Sequence, residues 1–301
     1  MTFRIGRKIR WTMLSFIPIT GILLHSCISF RMNPRQIDDF FRKNNVTATQ
    51  HSYQVGFREL HYVKAGDPSK PLILFLHGSP GSLSAFIGFL TDSTLLKNAL
   101  LVTADRPGFG YSNFGNGEPS LKKQGEILKP ILERYKMNRP IILVGHSLAG
   151  ALIVRMAAEY PELVDGLIIV AGSVDPELEP NETWFRAPLA TPFLSWLLPN
   201  SFRASNEEIY QLKPELERML PLWKNVRCPV IVIQGKKDVL VPAANADFAK
   251  KMLVNAPVFL KLEEDMNHFV PWSHPHLIDN AILEMIQRIA ETDTSKELSA
   301  H

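Results

Sequence analysis

Six short runs of the chain are apolar at nearly every position: residues 71–77 (PLILFLH), 99–105 (ALLVTAD), 140–145 (PIILVG), 164–172 (VDGLIIVAG), 229–235 (PVIVIQG) and 256–263 (APVFLKLE). Turn-forming residues bound each run. Continuous rather than alternating hydrophobicity predicts strands buried on both faces, as in a parallel sheet covered by helices. Helical periodicity fills the intervals, at 82–91, 121–137 with a kink expected at Pro130, 149–160, 243–253 and 276–291. Strand and helix in alternation predict an α/β fold with a mostly parallel, doubly wound sheet. Two further strand-like runs, 52–57 and 59–65, precede it.

One interval breaks the rhythm. Residues 175–225 hold several prolines, Trp184, Trp196 and the run FLSWLLP, with no sheet strand. As an insertion, this segment makes a short helical lid beyond the carboxyl ends of the strands, where open α/β sheets bind ligands. The expected organisation is a core over 51–174 and 226–291, split by the lid at 175–225. A polar tether over 27–50, with a helix in PRQIDDFFRKN, precedes the core, and a frayed polar tail covers 292–301.

The first 26 residues are patterned differently. Arg4, Arg7, Lys8 and Arg10 form a basic block, and the uncharged apolar run WTMLSFIPITGILL follows over 11–24. A basic start and an apolar run too short for a comfortable bilayer span describe a secretory signal over 1–26. The tetrapeptide LHSC, Leu24 to Cys27, resembles the lipobox of bacterial lipoproteins at Leu24, Ser26 and Cys27, with His25 an unusual occupant. That resemblance implies cleavage before Cys27 and a lipid on its thiol. An uncleaved N-terminal membrane anchor is the alternative. Either places the body in the cell envelope, membrane-anchored and outside the cytoplasm.

Composition narrows the picture further. With 301 residues, 21% charged, and a mean hydropathy of −0.01, the body needs a packed core. Lipidation of Cys27 would leave Cys228 as the one remaining cysteine, so no intrachain disulfide could form. Cys228 itself reads as a space-filling residue at a strand edge. The formal charge of +3 owes four basic residues to the leading block, and removing them leaves 29 Lys+Arg against 30 Asp+Glu. No basic stripe interleaved with aromatics is present, so nucleic acid is not an expected partner.

The run IILVGHSLAG, 141–150, carries the candidate chemistry. A strand that turns sharply into a helix exposes its corner residue above the sheet and requires small neighbours two positions away. Gly145 and Ala149 flank Ser147 in that way. The start of a helix also offers backbone donors to an anion. The placement suits a nucleophile whose attack creates an oxyanion, but the five-residue pattern alone is a weak signal, and a helix-capping serine in an ordinary strand-to-helix turn is the alternative.

Four stretches decide between these. HGSPG (77–81), DRPGFGYS (105–112), GHSLAG (145–150) and the pair GKKDVLVP (235–242) and NHFVPW (267–272) each follow a predicted strand. In this order they resemble the α/β-hydrolase fold family, over roughly residues 52–291. The resemblance implies Ser147 as nucleophile, His268 as its base and Asp238 as the acid that orients the base, with Asp175 the one substitute for the acid. It implies an oxyanion hole from the backbone N–H groups of Ser79 and Leu148. His77 and His146 are then turn and loop residues, and Asp105 and Arg106 structural. Two departures are visible: Ala149 where glycine is common, and Asn267 where glycine often precedes the histidine. Asn tolerates left-handed backbone better than most residues.

A serine at the elbow excludes the aspartate chemistry of epoxide hydrolases and haloalkane dehalogenases in this family. No metal-ligand cluster or phosphate-binding glycine loop is present, so no cofactor is implied. Carboxylic ester hydrolysis through an acyl-enzyme is expected, on a small-molecule substrate with an apolar group. Carbon–carbon bond hydrolysis and small-peptide aminopeptidase action are the alternatives within the fold, and a non-catalytic envelope binding module the alternative outside it. Trp184, Phe185 and Trp196 are candidate walls of the substrate pocket or else pack the lid to the sheet. Glu177, Glu179 and Glu182 are candidates for binding an amine or for a solvated acidic face.

Overall fold

A computed structural model describes the backbone of residues 30–137 and 139–299, and side chains through residue 292. The expected signal over 1–26 and the candidate lipidation site Cys27 lie outside the described residues. Eight strands form one sheet: β1 (Ala48–Val55), β2 (Arg58–Ala65), β3 (Leu72–Leu76), β4 (Leu100–Ala104), β5 (Ile141–His146), β6 (Gly166–Val170), β7 (Val230–Gly235) and β8 (Val258–Glu263). Their order is β1-β2-β4-β3-β5-β6-β7-β8. The hairpin β1–β2 and the β2–β4 pair are antiparallel, and every other neighbour is parallel.

The apolar runs become strands because both of their faces are covered. On β3, Leu72, Leu74 and Leu76 point into one core, shared with Ile127, Leu128 and Leu152. Ile73 and Phe75 point into the other, shared with Ile37, Phe41 and Ile282. Alternate side chains of a strand face opposite sides, so an unbroken apolar run fills two layers at once. The helices supplying those layers include α1 (Pro34–Lys43), α2 (Ser93–Asn98), α3 (Leu121–Tyr135), which runs through Pro130, and α4 (Leu148–Glu159). The run 82–91 forms two short 3-10 turns, Leu83–Ala85 and Ile87–Thr91, rather than one helix.

The segment expected as a tether is folded from Pro34 onward. Asn33 and Gln36 exchange capping bonds at the start of α1, at 2.9 and 2.8 Å, and Pro34 occupies its first turn. Ile37 and Phe41, one turn apart, are buried in the second core. Burial of each contributes about 1.5–3 kcal/mol, enough to hold the helix on the body. The segment from Ala48 then pairs along the whole of β2.

Between β6 and β7 lie α5 (Thr183–Leu189), α6 (Pro192–Ser195) and α7 (Asn200–Met219), the last packed through Leu212, Leu216 and Met219. No strand interrupts them. After β7 come α8 (Ala244–Met252), α9 (Val270–Ser273) and α10 (Pro275–Ser299). The helix expected to end at 291 continues to Ser299, so a frayed tail from 292 is not what the backbone shows. Among the described residues no helix is long and apolar enough to cross a membrane.

Candidate active site

The turn from β5 into α4 holds Ser147 at φ 57°, ψ −126°. A residue with a Cβ is strained there and persists only where its surroundings over-determine it. The Ser147 amide donates to Val170 O at 3.0 Å, and its carbonyl accepts from the amides of Gly150 at 2.8 Å and Ser173 at 3.2 Å. Gly145 is obligatory for the turn, since a Cβ on it would lie 2.3 Å from Ala149 O. Gly78 is pressed as closely from the other side: its Cβ would lie 2.9 Å from Ser147 Cβ.

His268 and Asp238 meet at the same end of the sheet. Nδ1 of His268 lies 2.8 Å from Asp238 Oδ2, and both residues are buried. The amides of Leu240 and Val241 donate to Asp238 Oδ1 at 2.9 and 2.8 Å, and Gln234 Nε2 reaches Oδ2 at 3.2 Å. Burial alone would raise the Asp238 carboxyl, but the bonds from His268, Val241 and Leu240 outweigh it and hold the group below its ordinary range. An ionised acceptor on Nδ1 keeps the ring proton there and leaves Nε2 to act as a base. Asp175 is occupied elsewhere, capping the turn at Glu177 N (2.9 Å).

The two remaining histidines of the motifs support the site. His146 Nε2 donates to the carbonyl of His268 at 2.9 Å, fixing the backbone of that residue. Burial, reinforced by His268, lowers His146 to about 4, so it stays neutral. His77 Nε2 accepts from the Arg106 amide at 3.0 Å, which leaves its proton on Nδ1 to bond Gly78 O at 2.7 Å. Asn267 does not take the left-handed conformation; its Oδ1 caps the Phe269 amide at 2.9 Å instead.

The loop carrying Ser79 is held by a buried ion pair of Arg106, expected to be structural, with a partner that the sequence did not point out, Glu208. Arg106 Nε donates to His77 O at 2.7 Å and Nη2 to Gly78 O at 3.0 Å. Nη1 and Nη2 also grip Glu208 of α7, at 2.7 and 3.0 Å, and Nη1 reaches Gln124 at 2.9 Å. All five guanidinium N–H groups are thereby used. Glu208 is 1% exposed. Ser79 Oγ is buried beside this carboxylate without completing a well-formed hydrogen bond. Among the described residues the amides of Ser79 and Leu148 have no acceptor.

Two cavities meet at Ser147, and both are also lined by Ser79, Leu240 and His268. The first, about 570 Å³, has the apolar walls Phe30, Pro80, Ala85, Phe269 and Trp272. The second, about 390 Å³, runs under the helical insertion past Ser173, Glu179, Glu182 and Arg186. Trp184, Phe185 and Trp196 line neither. On α5 it is Arg186 that faces the cleft. Trp184, two residues earlier and therefore about 200° round the helix, points outward and is 80% exposed. Of the three glutamates left open between the cleft and a solvated face, Glu179, bonded to Ser173 Oγ, and Glu182 are walls of the cleft, while Glu177 is the solvated one.

The α/β hydrolase fold family matches residues 71–204, which carry β3 to β6, the elbow and the start of the insertion. The chain has the α/β-hydrolase fold. Among its relatives, monoacylglycerol lipase ABHD6 of Homo sapiens is 26% identical over 271 residues, covering 76% of this chain and 79% of the relative. Protein ABHD8 of Mus musculus is 26% identical over 250 residues, and the chain spans 56% of its length. A solved membrane phospholipase A superposes with a TM-score of 0.62 over 94% of this chain and 99% of its own, at 16% identity, a likeness of fold alone. Fold and relatives agree on a hydrolase.

Proposed function

We propose that this chain hydrolyses a carboxylic ester with an apolar acyl group through an acyl-enzyme on Ser147. The observation that carries the proposal is the buried His268–Asp238 pair at the rim of the cavity that the strained Ser147 also lines. A hydroxyl is too weak an acid to attack unaided, so it needs a base beside it and a third group holding that base in one tautomer. Ser147 Oγ attacks the carbonyl carbon, His268 Nε2 takes its proton, and Asp238 stabilises the imidazolium. The amides of Ser79 and Leu148 receive the oxyanion, a stabilisation worth about 3–4 kcal/mol per donor in comparable sites. His268 then protonates the leaving alkoxide, and water clears the acyl group by the same steps.

The apolar walls Phe30, Phe269 and Trp272 suit the acyl chain. The relative named for monoacylglycerol hydrolysis supports an ester of that kind. The basic and apolar pattern of residues 1–26, with Cys27, supports attachment to a membrane through a lipid or an anchor. Phe30, three residues after Cys27, lines the cleft, and its carbonyl accepts from Ser82 Oγ at 2.7 Å and Ser84 Oγ at 2.8 Å.

A fluorophosphonate probe tests the assignment. Wild type is expected to be labelled and to cleave p-nitrophenyl esters of graded chain length, and Ser147→Ala to do neither. Equal labelling of the two proteins would sink it.

A further inference from the structure

The second cavity is built unlike the first, and it opens from the same serine. Its polar walls are Ser173, Glu179, Glu182 and Arg186. Within it, Glu182 and Arg186 neutralise each other, with Arg186 Nη2 2.5 Å from Glu182 Oε2, and Arg186 also approaches Asn206. Glu179 has no such cation: among the described residues it forms no ion pair, and its bond is to the Ser173 hydroxyl. Ser173 in turn donates its amide to the carbonyl of Ser147 at 3.2 Å, so this carboxylate is set at a short, fixed remove from the elbow. Burial pushes the Glu179 carboxyl above its ordinary range, the Ser173 bond opposing.

A carboxylate left without a cation in the wall of a half-closed cavity calls for hydrogen-bond donors from whatever enters. An anionic group would be repelled, because the one guanidinium present is already paired. The cavity continues outward: a further space of about 440 Å³ shares Glu179, Glu182 and Arg186 with it and adds the polar side chains Tyr210, Lys213 and Glu217. A polar product has a polar way out there. Leu178, Ile209, Leu212 and Val241 give this cavity apolar wall as well, but carboxylates and a guanidinium line it on this side alone, whereas the first cavity is walled by Phe30, Phe269 and Trp272.

We infer that the second cavity is the subsite for the alcohol half of the ester, and that it selects a small leaving group bearing hydrogen-bond donors, with Glu179 as their acceptor. This rests on the assignment of Ser147 as nucleophile. In the step served, the Ser147 Oγ–carbonyl bond forms, the carbonyl–alkoxy bond breaks, and the proton taken from Ser147 passes through His268 to the departing oxygen. The freed alcohol lies in this subsite, and the acyl group remains on the apolar side. Hydroxyls and an ammonium share the recognising chemistry, and the substrates below separate them.

The experiment uses the full chain and three esters of decanoic acid: methyl, 1-glyceryl and 2-(dimethylamino)ethyl, with release of the acid followed by titration. The glyceryl or the aminoalkyl ester is expected to exceed the methyl ester in kcat/KM by about tenfold or more, the usual worth of a hydrogen bond to a charged group. Preference for the glyceryl ester identifies hydroxyl recognition, and preference for the aminoalkyl ester identifies a cation. Glu179→Gln is expected to collapse the preferred ratio, and Glu179→Asp to restore part of it. A wild-type ratio near one, or a ratio that survives Glu179→Gln, overturns the subsite. Fluorophosphonate labelling of Ser147 in the same preparation keeps the two levels apart. Labelling without ester preference sinks the subsite alone, and no labelling sinks the nucleophile with it.

Discussion

Removing Glu208 isolates a charge in a place where water cannot reach it. Its two carboxylate oxygens take Arg106 Nη1 and Nη2, and one of them also takes Gln124 Nε2 at 2.9 Å. Arg106 is fully buried. In Glu208→Leu the guanidinium keeps its bonds to the carbonyls of His77 and Gly78, which carry no full charge, and loses its counter-ion. Breaking one side of a buried pair costs about 3–5 kcal/mol, several times the worth of a surface ion pair. The loss falls on two elements at once, because Glu208 rides on α7 and Arg106 holds the loop of Ser79. Equilibrium unfolding in urea, followed by tryptophan fluorescence and circular dichroism, measures it. Glu208→Leu should lose about 3–5 kcal/mol and Arg106→Met a similar amount. The double variant should cost about 2 kcal/mol less than the two together, since no lone charge is then left. A loss below about 1 kcal/mol for Glu208→Leu, or strict additivity, would refute the idea that this pair joins the insertion to the loop.

Three other consequences are open to measurement. Asp238→Asn should lower kcat by about 10²–10⁴-fold, because an amide can stabilise the wrong ring tautomer and cannot stabilise the imidazolium; kcat within tenfold of wild type would count against its role. Asp279, raised to about 6 by burial and then by Asp92, with only the weak opposing pull of His276, binds its proton more tightly folded than unfolded. Wild type therefore gives up stability as pH rises from about 4 to 6, and the penalty is complete above 6. Asp279→Asn should be the more stable protein above pH 6, by about 1 kcal/mol after discounting for its half-exposed setting, with the gap closing below pH 4 in thermal melts. Cys27→Ala should release the full-length chain from bacterial membranes or leave its signal uncleaved, and unchanged mass and partition would remove the lipid from the account.

Legibility in the sequence followed the range of the interactions involved. The central strands could be read because burial on both faces leaves a signature within five to seven consecutive residues, as in LILFL of β3. The elbow could be read because its constraint is equally local: the clash that Gly145 avoids is with Ala149, four residues away. Asp238 and His268 needed more than spacing, since 30 residues separate them, and only the resemblance of their flanking motifs joined them before the coordinates did. The helix in PRQIDDFFRKN could be read, but not its docking on the body, because the polar composition around it hid two apolar side chains, Ile37 and Phe41, one turn apart on α1.

The walls of the cleft were the least legible, for a reason that also bears on the substrate. Aromatic residues in the insertion drew attention to Trp184, Phe185 and Trp196, yet a helix presents only one side to the cleft, and α5 presents Arg186. The apolar cavity instead takes Phe269 and Trp272 from the run that bears His268, together with Phe30 from far earlier in the chain. Glu208 had a signal that went unused. It stands four residues after Ala204 and four before Leu212, in line with Leu216 and Met219, and a carboxylate set into an apolar stripe must have a buried partner. The same reasoning, applied to Glu179, is what separates the two cavities. Glu208 has its cation and is structural, whereas Glu179 has only the Ser173 hydroxyl, and that difference is what the ester series with Glu179→Gln puts to the test.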